Sequence, residues 1–149
     1  MPELRELYQE MILDHSKRPR NFGKLEGANR QASGYNPLCG DKITVYVKVE
    51  DNIVQEIRFE GIGCAISTAS ASLMTEKSKG KTLEEAEALF DLFHKLITGG
   101  VVEESAAELG KLSVFSGVKE FPVRVKCATL PWHTLRSALQ GTGEVVFTE

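Results

Sequence analysis

A chain of 149 residues can bury its own core in one domain, and 42% hydrophobic against 26% charged residues is ordinary for a soluble globular protein. A net charge of −3, from 18 basic and 21 acidic residues, supplies no field for holding nucleic acid or anionic lipid and sets both aside as partners. The N-terminus is charged from Glu3 onward, without the apolar core of a signal peptide, and no window approaches the roughly 18 uninterrupted apolar residues of a membrane helix. The expectation is a cytosolic protein.

Leu4, Leu7, Tyr8, Met11 and Ile12 recur at helical spacing and predict an amphipathic helix over 3–17. His15, Lys17 and Arg18 sit where cations suit the helix dipole, and Pro19 stops the helix. The basic cluster reads either as that helix terminus or as a docking patch.

Residues 21–42 are rich in Gly, Asn and Ser, which predicts loop or edge strand. Ile43, Val45, Val47 and Val49 then alternate with polar residues. Ile53, Ile57 and Phe59 do the same, although Gln55 interrupts their apolar face. With Asp51-Asn52 between them, these are two antiparallel strands joined by a short turn. Their apolar face needs a cover.

Residues 65–78 predict a helix dominated by small side chains, suited to lying close against a sheet. A further helix begins at Thr82, where Thr82-Leu83-Glu84-Glu85 forms a capping box, and runs through Leu89, Phe93 and Ile97 to Gly99-Gly100. A short helix over 101–109 ends at Gly110. The run Phe121-Pro122-Val123-Arg124-Val125-Lys126 reads as extended. A last helix then follows Cys127, containing Leu130, Trp132, Leu135 and Leu139, with Pro131 in its first turn. No repeat, linker or low-complexity tract interrupts this pattern, so 1–149 is expected to be one α+β domain.

The three cysteines, at 39, 64 and 127, are too few and too odd in number for a disulfide framework. In a reducing compartment they are thiols, either buried filler or ligands. Each falls at a junction in this reading: Cys39 before the first clear strand, Cys64 at the start of the small-residue helix, Cys127 between the extended run and the last helix. Their separations of 25 and 63 residues are not a zinc-finger pattern. The local chemistry says more. Cys39 and Asp41 flank Gly40, so a thiolate and a carboxylate point the same way across a residue that permits a bend. Cys64 follows Gly61-Ile62-Gly63, where a helix dipole favours its thiolate. Three thiolates and one carboxylate would complete a tetrahedral site for Zn²⁺ or iron. Asp41 also reads as a plain turn residue, and His15, His94 and His133 are rival donors, with His133 the nearest in sequence to a cysteine.

The segments Asn36–Asp41, Gly61–Ser72 and Cys127–Trp132 resemble the iron–sulfur cluster assembly family of IscU and SufU, in the right order and over essentially the whole chain. The resemblance implies a three-stranded antiparallel sheet covered by helices, with a metal site of Cys39, Asp41, Cys64 and Cys127 exposed at one end. Within the family the chain is closer to SufU. Lys126 stands where scaffold-type IscU proteins carry a His before the third Cys, and Phe121–Lys126 replaces their Leu-Pro-Pro-Val-Lys chaperone motif. An additional segment around 98–116 lengthens the stretch between Cys64 and Cys127. SufU-like proteins imply a zinc-dependent sulfurtransferase, the partner of a SufS-like cysteine desulfurase rather than a stand-alone enzyme. A desulfurase histidine takes over one zinc position there, and Cys39 is freed to accept persulfide sulfur for downstream assembly machinery. The alternative is a scaffold that binds iron and a nascent [2Fe-2S] cluster. A purely structural zinc domain fits least, because a chain of this size builds a core unaided.

Overall fold

The computed structural model describes residues 3–98, 109–141 and 145–147. Along the chain, α1 (Glu3–Lys17) precedes β1 (Arg30–Asn36), β2 (Asp41–Glu50) and β3 (Ile53–Ile62). Next come α2 (Ala65–Ser78), α3 (Leu83–Thr98), a 3-10 helix (Gly110–Glu120), α4 (Pro122–Gln140) and β4 (Val146–Phe147). The sheet order is β3-β2-β1-β4. The expected three antiparallel strands are present, and β4 adds a fourth, parallel to β1 through Gly34↔Val146 and Tyr35↔Phe147. Two residues carry no readable periodicity, which is why the sequence does not announce β4. The short helix expected over 101–109 lies, but for its last residue, outside the described residues.

Asp51 and Asn52 take φ of 53° and 64°, the left-handed pair that a two-residue hairpin turn requires. Gln55 has a structural reason to break the apolar pattern. Lys48 pairs with Glu56 and Val49 with Val54, so Gln55 is the extra residue of a β-bulge. Val54 and Ile57, three apart, can then both point inward, each fully buried.

α2 is the innermost helix. It packs between α1 and α4 and reaches the sheet through β3. Its small side chains form a polar seam as well as a close fit. Ser70 Oγ donates to Ala128 O (2.6 Å) and accepts from Trp132 Nε1 (3.0 Å), and Ser72 Oγ accepts from Arg20 N (2.9 Å). Trp132 also stacks on Phe93 with ring centroids 4.7 Å apart. The capping box forms as expected: Thr82 N donates to Glu85 Oε1 (2.9 Å), and Glu85 N donates to Thr82 Oγ1 (3.1 Å). At the end of α1, His15 is not part of a docking patch. It is buried, with Nδ1 2.7 Å from Ser72 Oγ.

The largest departure from expectation is at 121–126, which is not extended. Phe121 is the N-cap residue of α4, and Pro122 takes the first helical position, where its missing N–H costs nothing. Val123 and Val125 suggested a strand, yet Val123 is 52% exposed, so their alternation marks no buried sheet face. Cys127 therefore lies within α4 rather than at a junction, and Pro131 lies in the helix interior rather than in its first turn.

Candidate metal centre

The loop between β1 and β2, the loop between β3 and α2, and the second turn of α4 meet at one end of the sheet. Cys39 and Asp41 converge through a turn, not through strand alternation: Gly40 has φ +71°, and Asp41 is the first residue of β2. Ligand atoms of Cys39, Asp41 and Cys127 all lie within 4.8 Å of one another, and the two sulfurs are 3.0 Å apart. Cys127 is fully buried, Asp41 is 2% exposed, and Cys39 is partly open to solvent.

Cys64 joins this group through Asp41. Asp41 Oδ1 accepts from Cys64 N at 2.8 Å, and Oδ2 lies 3.8 Å from Cys64 Sγ. Cys64 is the N-cap of α2, as expected, and its sulfur accepts from Ser67 N at 3.4 Å. Of the two preceding glycines, Gly61 is sterically required and Gly63 is closely packed. A Cβ on Gly61, at φ +149°, would come within 2.0 Å of Lys42 O, and one on Gly63 within 3.2 Å of Asp41 Oδ1.

Burial pushes the Cys127 thiol well above its usual range, reinforced by its hydrogen bond with Cys39 and by the neighbouring Cys64 and Asp41. A divalent cation among these groups reverses that logic, because a coordinating thiol is deprotonated outright. The donor set fits Zn²⁺: sulfurs bound tetrahedrally at about 2.3 Å from one ion stand about 3.8 Å apart. The Cys39 and Cys127 sulfurs, 3.0 Å apart, are closer than that separation, and Cys64 Sγ stands 3.8 Å from Asp41 Oδ2, near enough for both to reach one ion.

The rival histidines are elsewhere. His15 faces Ser72 and Glu76, while the His94 and His133 rings pack around Phe90 between α3 and α4. The sequence reading overlooked Asn36, which is fully buried at the end of β1. Its Nδ2 donates to Cys127 Sγ at 3.7 Å, and its Oδ1 accepts from Leu38 N at 3.2 Å. An Asn directly before Pro is an available turn signal for it. Around the site, Leu38 and Ile62 are 66% and 79% exposed, and Phe121 and Val123 are exposed at the start of α4.

A fold of helices on a small mixed sheet, with cysteines gathered at one end, defines a class of metal-site protein, and comparison with known sequences makes it specific. Residues 7–128 match the model of the NifU-like N-terminal domain, and the chain belongs to that family. It is 42% identical over 142 residues to the "Iron-sulfur cluster assembly scaffold protein IscU" of Streptococcus pyogenes serotype M1, covering 94% of this chain and 87% of that one. It is 41% identical over 133 residues to the "Zinc-dependent sulfurtransferase SufU" of Bacillus subtilis, covering 89% of each. A crystal structure described as an iron–sulfur cluster assembly scaffold protein for the SUF system of Fervidobacterium islandicum AW-1 superposes with a TM-score of 0.83. That pair is 39% identical, with 91% of this chain and 98% of that chain covered. Among the described residues, no helix is long and apolar enough to cross a membrane.

Proposed function

We propose that this chain acts in iron–sulfur cluster assembly as a zinc-dependent sulfurtransferase, taking persulfide sulfur on Cys39 from a SufS-like cysteine desulfurase. The observation that carries the reading is the convergence of Cys39, Asp41 and Cys127, with Cys64 tied to the same carboxylate. Zinc would be held by Cys39, Asp41, Cys64 and Cys127, and bound there it keeps the thiols deprotonated without redox chemistry of its own.

The chain's residues divide the remaining work. Cys127 is fully buried and cannot meet a sulfur presented by another protein. Cys64 Sγ is occupied in capping α2. Cys39 lies on a partly open turn between Pro37 and Gly40, where its side chain can swing without disturbing a helix or strand. Its thiolate attacks the terminal sulfur of the desulfurase persulfide. A new S–S bond forms on Cys39, the old S–S bond breaks, and the desulfurase cysteine leaves as a thiolate. The exposed Leu38, Ile62, Phe121 and Val123 give the donor protein an apolar surface to cover.

The second reading is a scaffold carrying iron or a nascent [2Fe-2S] cluster, favoured by the similar identity to the S. pyogenes IscU, 42% against 41% to the B. subtilis SufU. Thiolate and carboxylate donors suit both metals. Lys126 in place of a histidine, the sequence Phe121–Lys126 and the additional segment around 98–116 support the sulfurtransferase instead. Of that segment, Leu109, Leu112 and Phe115 are buried in the core. Metal analysis of protein purified in air separates the two. The proposal expects about one Zn²⁺ per chain and no visible absorption. Stoichiometric iron with sulfide-to-metal charge-transfer bands would favour the scaffold.

A further inference from the structure

Asn36 belongs to no part of the ligand set, yet it touches both ends of it. Its backbone carbonyl accepts from Cys39 N (3.2 Å), its Oδ1 accepts from Leu38 N (3.2 Å), and its Nδ2 lies 3.7 Å from Cys127 Sγ. The orientation of the amide is fixed by chemistry. Leu38 N can only donate, so the oxygen must face it, and the NH₂ is left pointing at sulfur. A plain turn-forming role explains the Oδ1 contact alone. It gives no reason for a fully buried carboxamide to aim its donor at a cysteine 91 residues away, on another element. Buried amide hydrogens need acceptors, and a thiolate is a far better one than a thiol.

We propose that Asn36 is a positioning residue of the metal centre: its carboxamide bridges the Cys39 turn to Cys127 Sγ and sets how tightly the site holds its metal. The inference rests on the metal-site reading above and extends it to a residue outside the four ligands. Groups that orient metal ligands without touching the metal typically change affinity about 10–100-fold when removed.

Two variants of the full chain separate the contacts. Asn36→Ala removes both side-chain bonds. Asn36→Ser keeps a short acceptor for Leu38 N but cannot reach Cys127. Zinc affinity is measured by competition with a chromophoric chelator, the thiolate-to-metal bands are recorded with Co²⁺ in place of zinc, and far-UV circular dichroism follows the fold. The proposal expects zinc affinity to fall about 10–100-fold in Asn36→Ala and about 10-fold or more in Asn36→Ser. Both should show shifted cobalt bands and unchanged helicity. Asn36→Ser binding zinc within about twofold of the parent, with the parent's cobalt spectrum, would overturn it, since typical ligand-orienting losses are larger. Loss of helicity in both variants would assign Asn36 to the fold alone and overturn it equally. A parent protein that gives no thiolate–cobalt bands would instead sink the metal site itself, an outcome distinct from a null effect of the variants.

Discussion

The two sides of the metal centre are built differently. On the Cys64 side the groups are anchored in or against regular structure: the sulfur caps α2 through Ser67 N, the backbone N–H is held by Asp41, Gly61 has no room for a side chain against the β2 backbone, and Gly63 packs closely on Asp41 and Ser67. On the Cys39 side the sulfur rides on a turn held mainly by one residue, Asn36. A site with one rigid and one hinged side can keep its geometry while a single ligand departs. Sulfur transfer needs that property; a closed structural zinc site does not.

Breaking the rigid side at its centre should have the largest effect. Asp41→Ala removes the oxygen donor and also the acceptor of Cys64 N, so zinc affinity should fall about 100-fold or more, beyond the usual effect of residues that only orient ligands. Helicity should persist, because the core does not depend on this carboxylate. Unchanged zinc affinity and unchanged sulfur acceptance would return Asp41 to the role of a turn residue. Gly61→Ala acts on the same side through the backbone. At φ +149° with Lys42 O in the way, it should cost about 1–3 kcal/mol in denaturant unfolding, the usual range for local backbone strain. A neutral result would mean that the hairpin end yields and that the Cys64 side is less rigid than described.

Away from the site the expected effect is smaller. Burial holds the His15 imidazole below its ordinary pKa of 6.5; Arg20 and Lys111 act in the same direction, and Glu76 and Asp14 against it. The unfolded chain therefore binds the proton more readily, and stability should be full above about pH 6.5 and decline below it. His133, also lowered by burial, adds to the same decline. His15→Asn should flatten the loss between pH 7.5 and 5.5 by up to one proton, about 1.4 kcal/mol per pH unit, in unfolding midpoints compared with the parent. Equal slopes in the two proteins would show that His15 does not titrate on folding.

Much of the fold is legible in the sequence because several elements carry strong local signals. The β2–β3 hairpin has alternation and an Asp-Asn turn, α3 has its capping box, and α2 has a run of small residues flanked by Gly63 and Gly80. The start of α4 misleads for a specific reason. Val123-Arg124-Val125-Lys126 alternates like a strand, whereas Pro122 at the first helical position and packing of the turns that follow decide for helix. The four expected ligand residues do approach one another, although Cys39 arrives by a turn and Cys127 from within a helix. Asn36 stayed hidden because its partner lies 91 residues away, a separation that local pattern does not encode.

The central claim is that Cys39 is the hinged ligand and takes the sulfur. Incubation with a cysteine desulfurase and free cysteine, followed by mass spectrometry without reductant, locates the added sulfur directly. A mass increase of one sulfur on the Cys39 peptide, absent in Cys39→Ser together with the stimulation of desulfurase turnover, is the predicted result. An adduct on Cys64 or Cys127, with Cys39→Ser still stimulating the desulfurase, would contradict the account.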